Sequence, residues 1–451
     1  MEAGIECFRA YDIRGVVPQQ LDAELARSVG QAAVLWRGID RAVVGRDARL
    51  TSPALTEALI DGLRSAGVAV LDVGIVTTPM LNFAAVTLSC YGFMVTASHN
   101  PKQYNGIKIV DSNAQQIYDT KGLMDLEQLV RSEAASCADI PAKLHLRSIL
   151  VDYQQHLIQR FKATDFGDLK VKVVVDCSNG VGGLPMGVLE SLGINYTLLN
   201  HIPNGEFPNH GCDTLLADNF VQLQACVRET GADLGLMLDG DADRVVFVDE
   251  TGQIVPVDLV FVLLARQALA VRPGRVFYDL RFSRVVKEEI VKAGGIPLAM
   301  RVGNPFYKEA LRQHDDGLLA AELSGHILYK ENFGIDDALF ATLKLLQYLA
   351  STGAKLSSLL SPLKRYASSG EQRIETDEPA ALLDLVRQHY RDGRLSEQDG
   401  VTVEYADWWF NLRASNTEPV AKLVVEAADP ERLSRACKDL NLLLGQSLRY
   451  P

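Results

Sequence analysis

Lys172-Val-Val-Val-Asp176 is followed by the glycine-rich run Cys177-Ser-Asn-Gly-Val-Gly-Gly-Leu-Pro185 and a helical segment to Leu192. An apolar run of this length closed by an acid, then a turn and a helix, predicts one strand-turn-helix step of an α/β sheet. The same step occurs twice more. Arg41-Ala-Val-Val-Gly-Arg-Asp47 leads to a helix that Ser52-Pro53 should open, with the serine as N-cap and the proline at the first helical position. Arg275-Val-Phe-Tyr-Asp279 leads to a helix ending near Lys292. The three acids, Asp47, Asp176 and Asp279, lie 129 and 103 residues apart.

Each step is followed by a later apolar strand with unusual polar residues at its end. These are Ser98 after Phe93-Met-Val95, Asp239/Asp241/Asp243 after Leu234 to Leu238, and Glu322/Ser324/His326 after Gly317 to Ala321. The pattern predicts three copies of one α/β unit, a repeat far longer than a solenoid period. Ligands of open α/β sheets bind beyond the carboxyl ends of the strands, so three copies can aim three different loops at one cleft. The last ~85 residues differ in texture, with a helix over 379–390 and a hairpin-like run over 401–426, and predict a smaller α+β unit. The expected fold is therefore α/β with four domains around a central cleft, spanning 1–145, 146–250, 251–365 and 366–451.

A chain of 451 residues exceeds one hydrophobic core, which agrees with about three or four domains. The net charge of −12, from 57 acids and 45 bases, argues against nucleic acid or an anionic membrane as partner. An anionic substrate would need a local basic cluster. The most apolar long window, Val255 to Val271, is interrupted by Asp258 and Arg266 and is not expected to span a bilayer. The N-terminus has no apolar core of a signal peptide. Seven scattered cysteines without a Cys-x-x-Cys spacing read as reduced thiols of a cytoplasmic protein.

Four stretches carry candidate chemistry. Thr96-Ala-Ser-His-Asn-Pro101 throws a serine out at a strand end, where Ser98 is either a nucleophile or phosphate carrier, or the hydroxyl of an ST-turn. Asp239-Gly-Asp-Ala-Asp243 sets three carboxylates at alternate positions. They suit a hard cation such as Mg²⁺, which removes the repulsion that would otherwise raise their pKa values. An EF-hand is excluded, because its sixth position is Arg244 and strand residues follow. Glu322-Leu-Ser-Gly-His326 offers alternating groups for vicinal sugar hydroxyls, or caps a helix. Arg413-Ala-Ser-Asn-Thr417 offers a guanidinium, hydroxyls, an amide and backbone N–H groups to a phosphate dianion. Arg14, Lys108, Arg244 and Arg281 could complete the cluster. The loops 179–185 and 201–213 read as a plain strand-to-helix turn and a surface connection.

Together with Ala10-Tyr-Asp-Ile-Arg-Gly15, these segments resemble the α-D-phosphohexomutase family, over the whole chain and most closely its bacterial phosphomannomutase/phosphoglucomutase members. The resemblance implies interconversion of hexose 1-phosphate and hexose 6-phosphate, mannose or glucose, by way of a phosphorylated Ser98 and a hexose 1,6-bisphosphate. It implies Mg²⁺ on Ser98, Asp239, Asp241 and Asp243, with glucose or mannose 1,6-bisphosphate as activator. Tyr11, Arg14, Lys108 and Arg244 would line the cleft, with Lys108 or His99 placed for proton transfer. Glu322, Ser324 and His326 would read the sugar. Arg413, Ser415, Asn416 and Thr417 would hold the phosphate that does not react. A monomer or weak homodimer acting on small sugar phosphates is expected. Two positions depart from the family pattern: Gly303-Asn304 replaces Gly-His, and Arg281 replaces a frequent Lys, which is not an equivalent donor.

Two other functions fit part of the pattern. A phosphohydrolase with Asp239 as nucleophile would leave Ser98 idle, and a sugar-phosphate-binding protein would follow if Asn304 had cost the chain its turnover.

Overall fold

The computed structural model describes residues 6–133, 140–164, 166, 171–415 and 420–445. Four sheets organise the chain. The first has six strands, the second four, the third five, and the last five. The first three share a core of four strands in one order. Arg41–Arg46, Lys172–Asp176 and Arg275–Asp279 occupy equivalent central places. Each pairs in parallel with the crossover strand on one side (Ala69–Ile75, Asn195–Leu199, Ile296–Met300). On the other side each pairs in parallel with the strand that leads into a polar loop (Tyr91–Val95, Leu234–Leu238, Gly317–Ala321). An antiparallel strand closes each set: Tyr104–Val110, Val245–Asp249 and Ile327–Tyr329. Three mixed α/β repeats therefore deliver Ser98, Asp239 and the Glu322 loop from the same topological position.

Central placement explains the sequence pattern. Val173, Val174 and Val175 are buried because helices cover both sheet faces, and a strand covered on both faces gains nothing from polar alternation. Burying each such side chain contributes about 1.5–3 kcal/mol. The acid that ends each strand builds the turn that follows. Oδ1 of Asp47, Asp176 and Asp279 accepts the backbone N–H two residues on, from Arg49, Ser178 and Arg281, at 2.9–3.0 Å.

The helix Ser52–Ser65 departs from expectation at its first residue. Thr51 is the capping position, and the Ser52 hydroxyl instead donates to Oδ1 of Asp47 at 2.5 Å. The strand-end acid outcompetes the helix end for that hydroxyl. The helix after the 177–185 run is shorter than expected, Gly187–Ser191. In the last unit all five strands are antiparallel, in the order Ala367–Glu375, Val420–Ala427, Trp408–Ala414, Val401–Glu404, Arg394–Ser396. Helices Pro379–His389 and Pro430–Leu444 contribute Val386 and Leu440 to its separate core. No helix among the described residues is long and apolar enough to cross a membrane.

Candidate active site

Ser98 sits at the end of the Tyr91–Val95 strand with its backbone at φ 49°, in the left-handed region that non-glycine residues rarely occupy. Arg49 holds it there. This side chain is 1% exposed, and its Nη1 and Nη2 donate to the carbonyls of Ser98, Asn100, Pro101 and Tyr104 at 2.6–3.0 Å. Its Nε pairs with Asp47. The Ser98 hydroxyl then donates to Oδ2 of Asp239 at 2.6 Å and lies 3.2 Å from Nδ1 of His99. The approach of the two loops needs Gly240: a Cβ there would lie 2.5 Å from the Ser98 carbonyl oxygen.

Asp239, Asp241 and Asp243 are buried, and one carboxylate oxygen from each lies within 4.8 Å of the others, so the cluster could hold a metal ion. Thr78 and Lys108 both donate to Oδ2 of Asp241, at 2.6 and 2.7 Å, and Lys108 also reaches Asp243 at 2.6 Å. The remaining oxygen of Asp241 and of Asp243 is buried with no hydrogen-bond partner among the described residues. Buried acceptors left unpaired in a carboxylate trio fit a hard divalent cation. Burial, and then the neighbouring Asp243 and Asp241, raise the Asp239 carboxyl well above its usual range. For Lys108, burial alone would lower the ammonium, but Asp241 and Asp243 outweigh it and hold the group charged. Half-buried His99 is kept neutral, first by desolvation and then by Arg244, Arg14 and Lys108.

The Glu322–His326 loop joins this cluster to a second one. At one end, Nε2 of His326 accepts from Nε of Arg244 at 3.0 Å. At the other, Glu322 lies 3.8 Å from Nη2 of Arg281. Arg281 pairs with Asp279 on its own strand end and donates to Glu371 of the last unit at 2.7 Å. Arg413 reaches the same oxygen of Glu371 at 3.3 Å. Arg14 bonds Asn100 at 2.6 Å and pairs with Asp12. The Tyr11 hydroxyl donates to the Val302 carbonyl at 2.9 Å, and burial, then Glu322, push it up to about 12. Ser324 and Ser415 lie on their respective loops; Asn416 and Thr417 lie outside the described residues. Asn304 donates to Asp336 at 2.5 Å, beside Lys308 and His326, which approach the same acid at 2.7 and 3.3 Å.

Several residues at this site escaped the sequence reading. Arg49 had a signal: Asp47-Ala-Arg49 repeats the spacing of Asp279-Leu-Arg281. Thr78, Asp336 and Glu371 had none. The 201–213 loop is more than a surface connection. The Cys212 thiol approaches the Ser98 carbonyl at 3.4 Å, Arg49 lies over the Phe207 ring at 5.1 Å, and Thr214 bonds the Ser324 carbonyl at 3.2 Å. The loop and Thr214, which follows it, thus brace the serine loop and the Glu322 loop together. The 179–185 turn packs against the acidic loop too, with Val181 N–H donating to the Gly240 carbonyl at 3.0 Å.

Comparisons with known proteins bear on this arrangement. Profiles of the phosphoglucomutase/phosphomannomutase alpha/beta/alpha domains I, II and III match residues 6–135, 151–252 and 256–366. The profile of the C-terminal domain matches residues 371–443. A phosphomannomutase/phosphoglucomutase of Pseudomonas putida is 38% identical over 95% of this chain and 93% of its own. A protein named phosphohexose mutases from Xanthomonas campestris is 36% identical over 98% of this chain and all of its own length. A crystal structure of a phosphoglucomutase/phosphomannomutase family protein from Burkholderia thailandensis superposes with a TM-score of 0.88 at 33% identity, covering 99% of each chain.

Proposed function

The chain belongs to the phosphoglucomutase/phosphomannomutase family of phosphotransferase mutases, and on that premise we propose that it interconverts hexose 1-phosphate and hexose 6-phosphate through a phosphorylated Ser98 and a hexose 1,6-bisphosphate. The observation that carries this reading is the 2.6 Å contact between Ser98 Oγ and Asp239, brought together across 141 residues of chain. An aspartyl phosphohydrolase would want Asp239 facing substrate; here its oxygens receive the serine hydroxyl and the Arg244 N–H.

Asp239, Asp241, Asp243 and a phosphoryl oxygen on Ser98 would hold Mg²⁺, which offsets negative charge on the transferring group. The sugar's free hydroxyl attacks phosphorus, and its P–O bond forms as the bond to Ser98 Oγ breaks. The hydroxyl proton passes to a base that returns it to the departing Ser98 Oγ, which lies 3.2 Å from Nδ1 of His99. Neutral His99 suits that role, because Lys108 carries a proton already and has no lone pair to offer. Lys108, Arg14 and Arg244 supply positive charge to the phosphoryl oxygens. Glu322, Ser324 and His326 read the hydroxyls, with Asn304 and Tyr11 beside them. Arg281, Arg413, Ser415, Asn416 and Thr417 hold the phosphate that does not react. The bisphosphate turns end for end and returns its other phosphate to Ser98, so one cradle serves both halves; added glucose or mannose 1,6-bisphosphate would activate an unphosphorylated enzyme.

Ser98→Ala should abolish turnover of glucose 1-phosphate and mannose 1-phosphate, and mass spectrometry of the wild type should find phosphate on Ser98. Turnover at the wild-type rate by the alanine variant would remove the serine from the mechanism. Should Asn304 have disabled turnover, the wild type would bind the sugar phosphates without isomerising them, and Asn304→His would restore the reaction.

A further inference from the structure

Glu371 lies where three cations meet. Oε1 takes Nη1 of Arg281 at 2.7 Å and Nη2 of Arg413 at 3.3 Å, and Oε2 lies 3.2 Å from Nζ of Lys422. Arg413 and Lys422 are direct cross-strand partners, an arrangement that repels unless an anion sits between them. The backbone aims Glu371 at that spot. The register of the Ala367–Glu375 strand against Val420–Ala427 shifts between Ser368 and Glu371, and Gly370 in this bulge has φ 63°. A bulge turns a side chain to a direction that regular pleating forbids. Three local bonds brace it: Ser369 Oγ to the Gly370 carbonyl, Gln372 Nε2 to the Ser369 carbonyl, and Val425 N–H to Ser369 Oγ, at 2.6–3.0 Å. Burial alone would raise the Glu371 carboxyl, but Arg281, then Arg413 and Lys422, bring it down to about 2, so it stays ionised.

We propose that Glu371 is a resident counter-ion that sets the affinity of the last unit for a sugar phosphate, competing with the phosphate for Arg281, Arg413 and Lys422. This rests on the reading that Arg281 and Arg413 hold the substrate's non-reacting phosphate. Its consequence for that reaction is specific. An intermediate that must let go and turn end for end is poorly served by three unopposed cations. A carboxylate already among them weakens the hold on the bound phosphate and reclaims the cations when it leaves. Arg281 does not need Glu371 to stay in place, because Asp279 pairs with its guanidinium independently.

The test is calorimetric titration of the full-length protein with glucose 6-phosphate, together with steady-state kinetics, in the wild type, Glu371→Gln, Glu371→Asp and Arg413→Ala. Removing one like-signed charge beside the bound phosphate should tighten Kd about tenfold in Glu371→Gln. It should lower KM and slow kcat, while Glu371→Asp, which keeps the charge, stays closer to the wild type. A purely structural glutamate would give the opposite order, with weaker binding in the Gln variant, and that result or an unchanged Kd overturns the proposal. Should the Gln variant not fold, Glu371→Ser removes the same charge and must tighten Kd likewise. Arg413→Ala is expected to weaken binding; unchanged affinity there overturns the phosphate reading itself, and the proposal with it.

Discussion

Arg49 directs all five of its side-chain N–H groups to acceptors: one to Asp47 and four to the carbonyls of Ser98, Asn100, Pro101 and Tyr104. A guanidinium can do this because its donors are fixed in a plane, whereas an ammonium has three donors on a compact head. Arg49→Lys therefore keeps the charge beside Asp47 and leaves carbonyls of the serine loop unheld. Misplacing a reacting atom by about 1 Å can cost about 100-fold in rate. The expected result is kcat lower by about that factor with KM little changed, because the groups proposed to bind substrate are elsewhere. A rate equal to the wild type in steady-state assays would show that the loop holds its shape unaided. The acidic trio makes a parallel case: Asp241→Asn removes one charge from the proposed cation site. It should raise the Mg²⁺ concentration needed for half-maximal activity and sharply lower the maximum, read from activity against Mg²⁺ titrations.

At the scale of elements, the 201–213 loop is tied back to the second sheet through His210. Its Nε2 lies 3.0 Å from Asp176 and its Nδ1 is 2.8 Å from the Gly211 carbonyl. Burial alone would lower this imidazole, but Asp176 outweighs it, and the pKa is raised above the ordinary 6.5. A group whose folded pKa is raised contributes stability that is fully present below the unfolded value and is lost as pH rises through the folded value. The wild type should therefore melt above His210→Ala by a margin that is full below about pH 6.5 and shrinks above it. A margin that grows with pH in thermal melts would reverse the assignment. This loop also shows where sequence reading stopped. Short apolar strands closed by acids were legible, because a strand buried on both faces shows as an uninterrupted apolar run. Ser98, the aspartates and Glu322-to-His326 were legible because polar groups follow such strands directly. The loop's bracing of Ser98 was not, since Cys212 and Phe207 act through contacts with residues more than a hundred positions away. Asp336 and Glu371 were hidden because their partners come from other elements, Asn304 and Lys308 for the first and Arg281, Arg413 and Lys422 for the second. The capping signal of Ser52 is overridden by Asp47 of the preceding turn.

At the scale of the molecule, the last unit keeps a core of its own, whereas one continuous apolar cluster runs through the second and third units and into the first by way of Met80, Leu81 and Ala84. The last unit docks on the third largely through polar contacts: Arg281 with Glu371, Arg284 with Glu426, and Gln398 with the Ala299 carbonyl. One residue, Val302, ties three units together through its two backbone polar groups. The Val302 N–H donates to Asp399 of the last unit at 2.8 Å, while the Val302 carbonyl accepts the Tyr11 hydroxyl of the first at 2.9 Å. A separate core joined by polar bonds can rock without exposing apolar surface, so we propose that the last unit moves as a lid over the bound sugar phosphate. Asp399→Ala removes one of those bonds and touches no apolar packing. A hydrogen bond to a charged acceptor is worth about 1.5–3 kcal/mol. If closure draws on it, KM for the hexose phosphate should rise about tenfold or more while the melting temperature falls by only a few degrees. X-ray scattering should then show a smaller fall in radius of gyration on adding glucose 1,6-bisphosphate than in the wild type. If KM stays at the wild-type value and the radius contracts equally, the Val302 junction plays no part in closure.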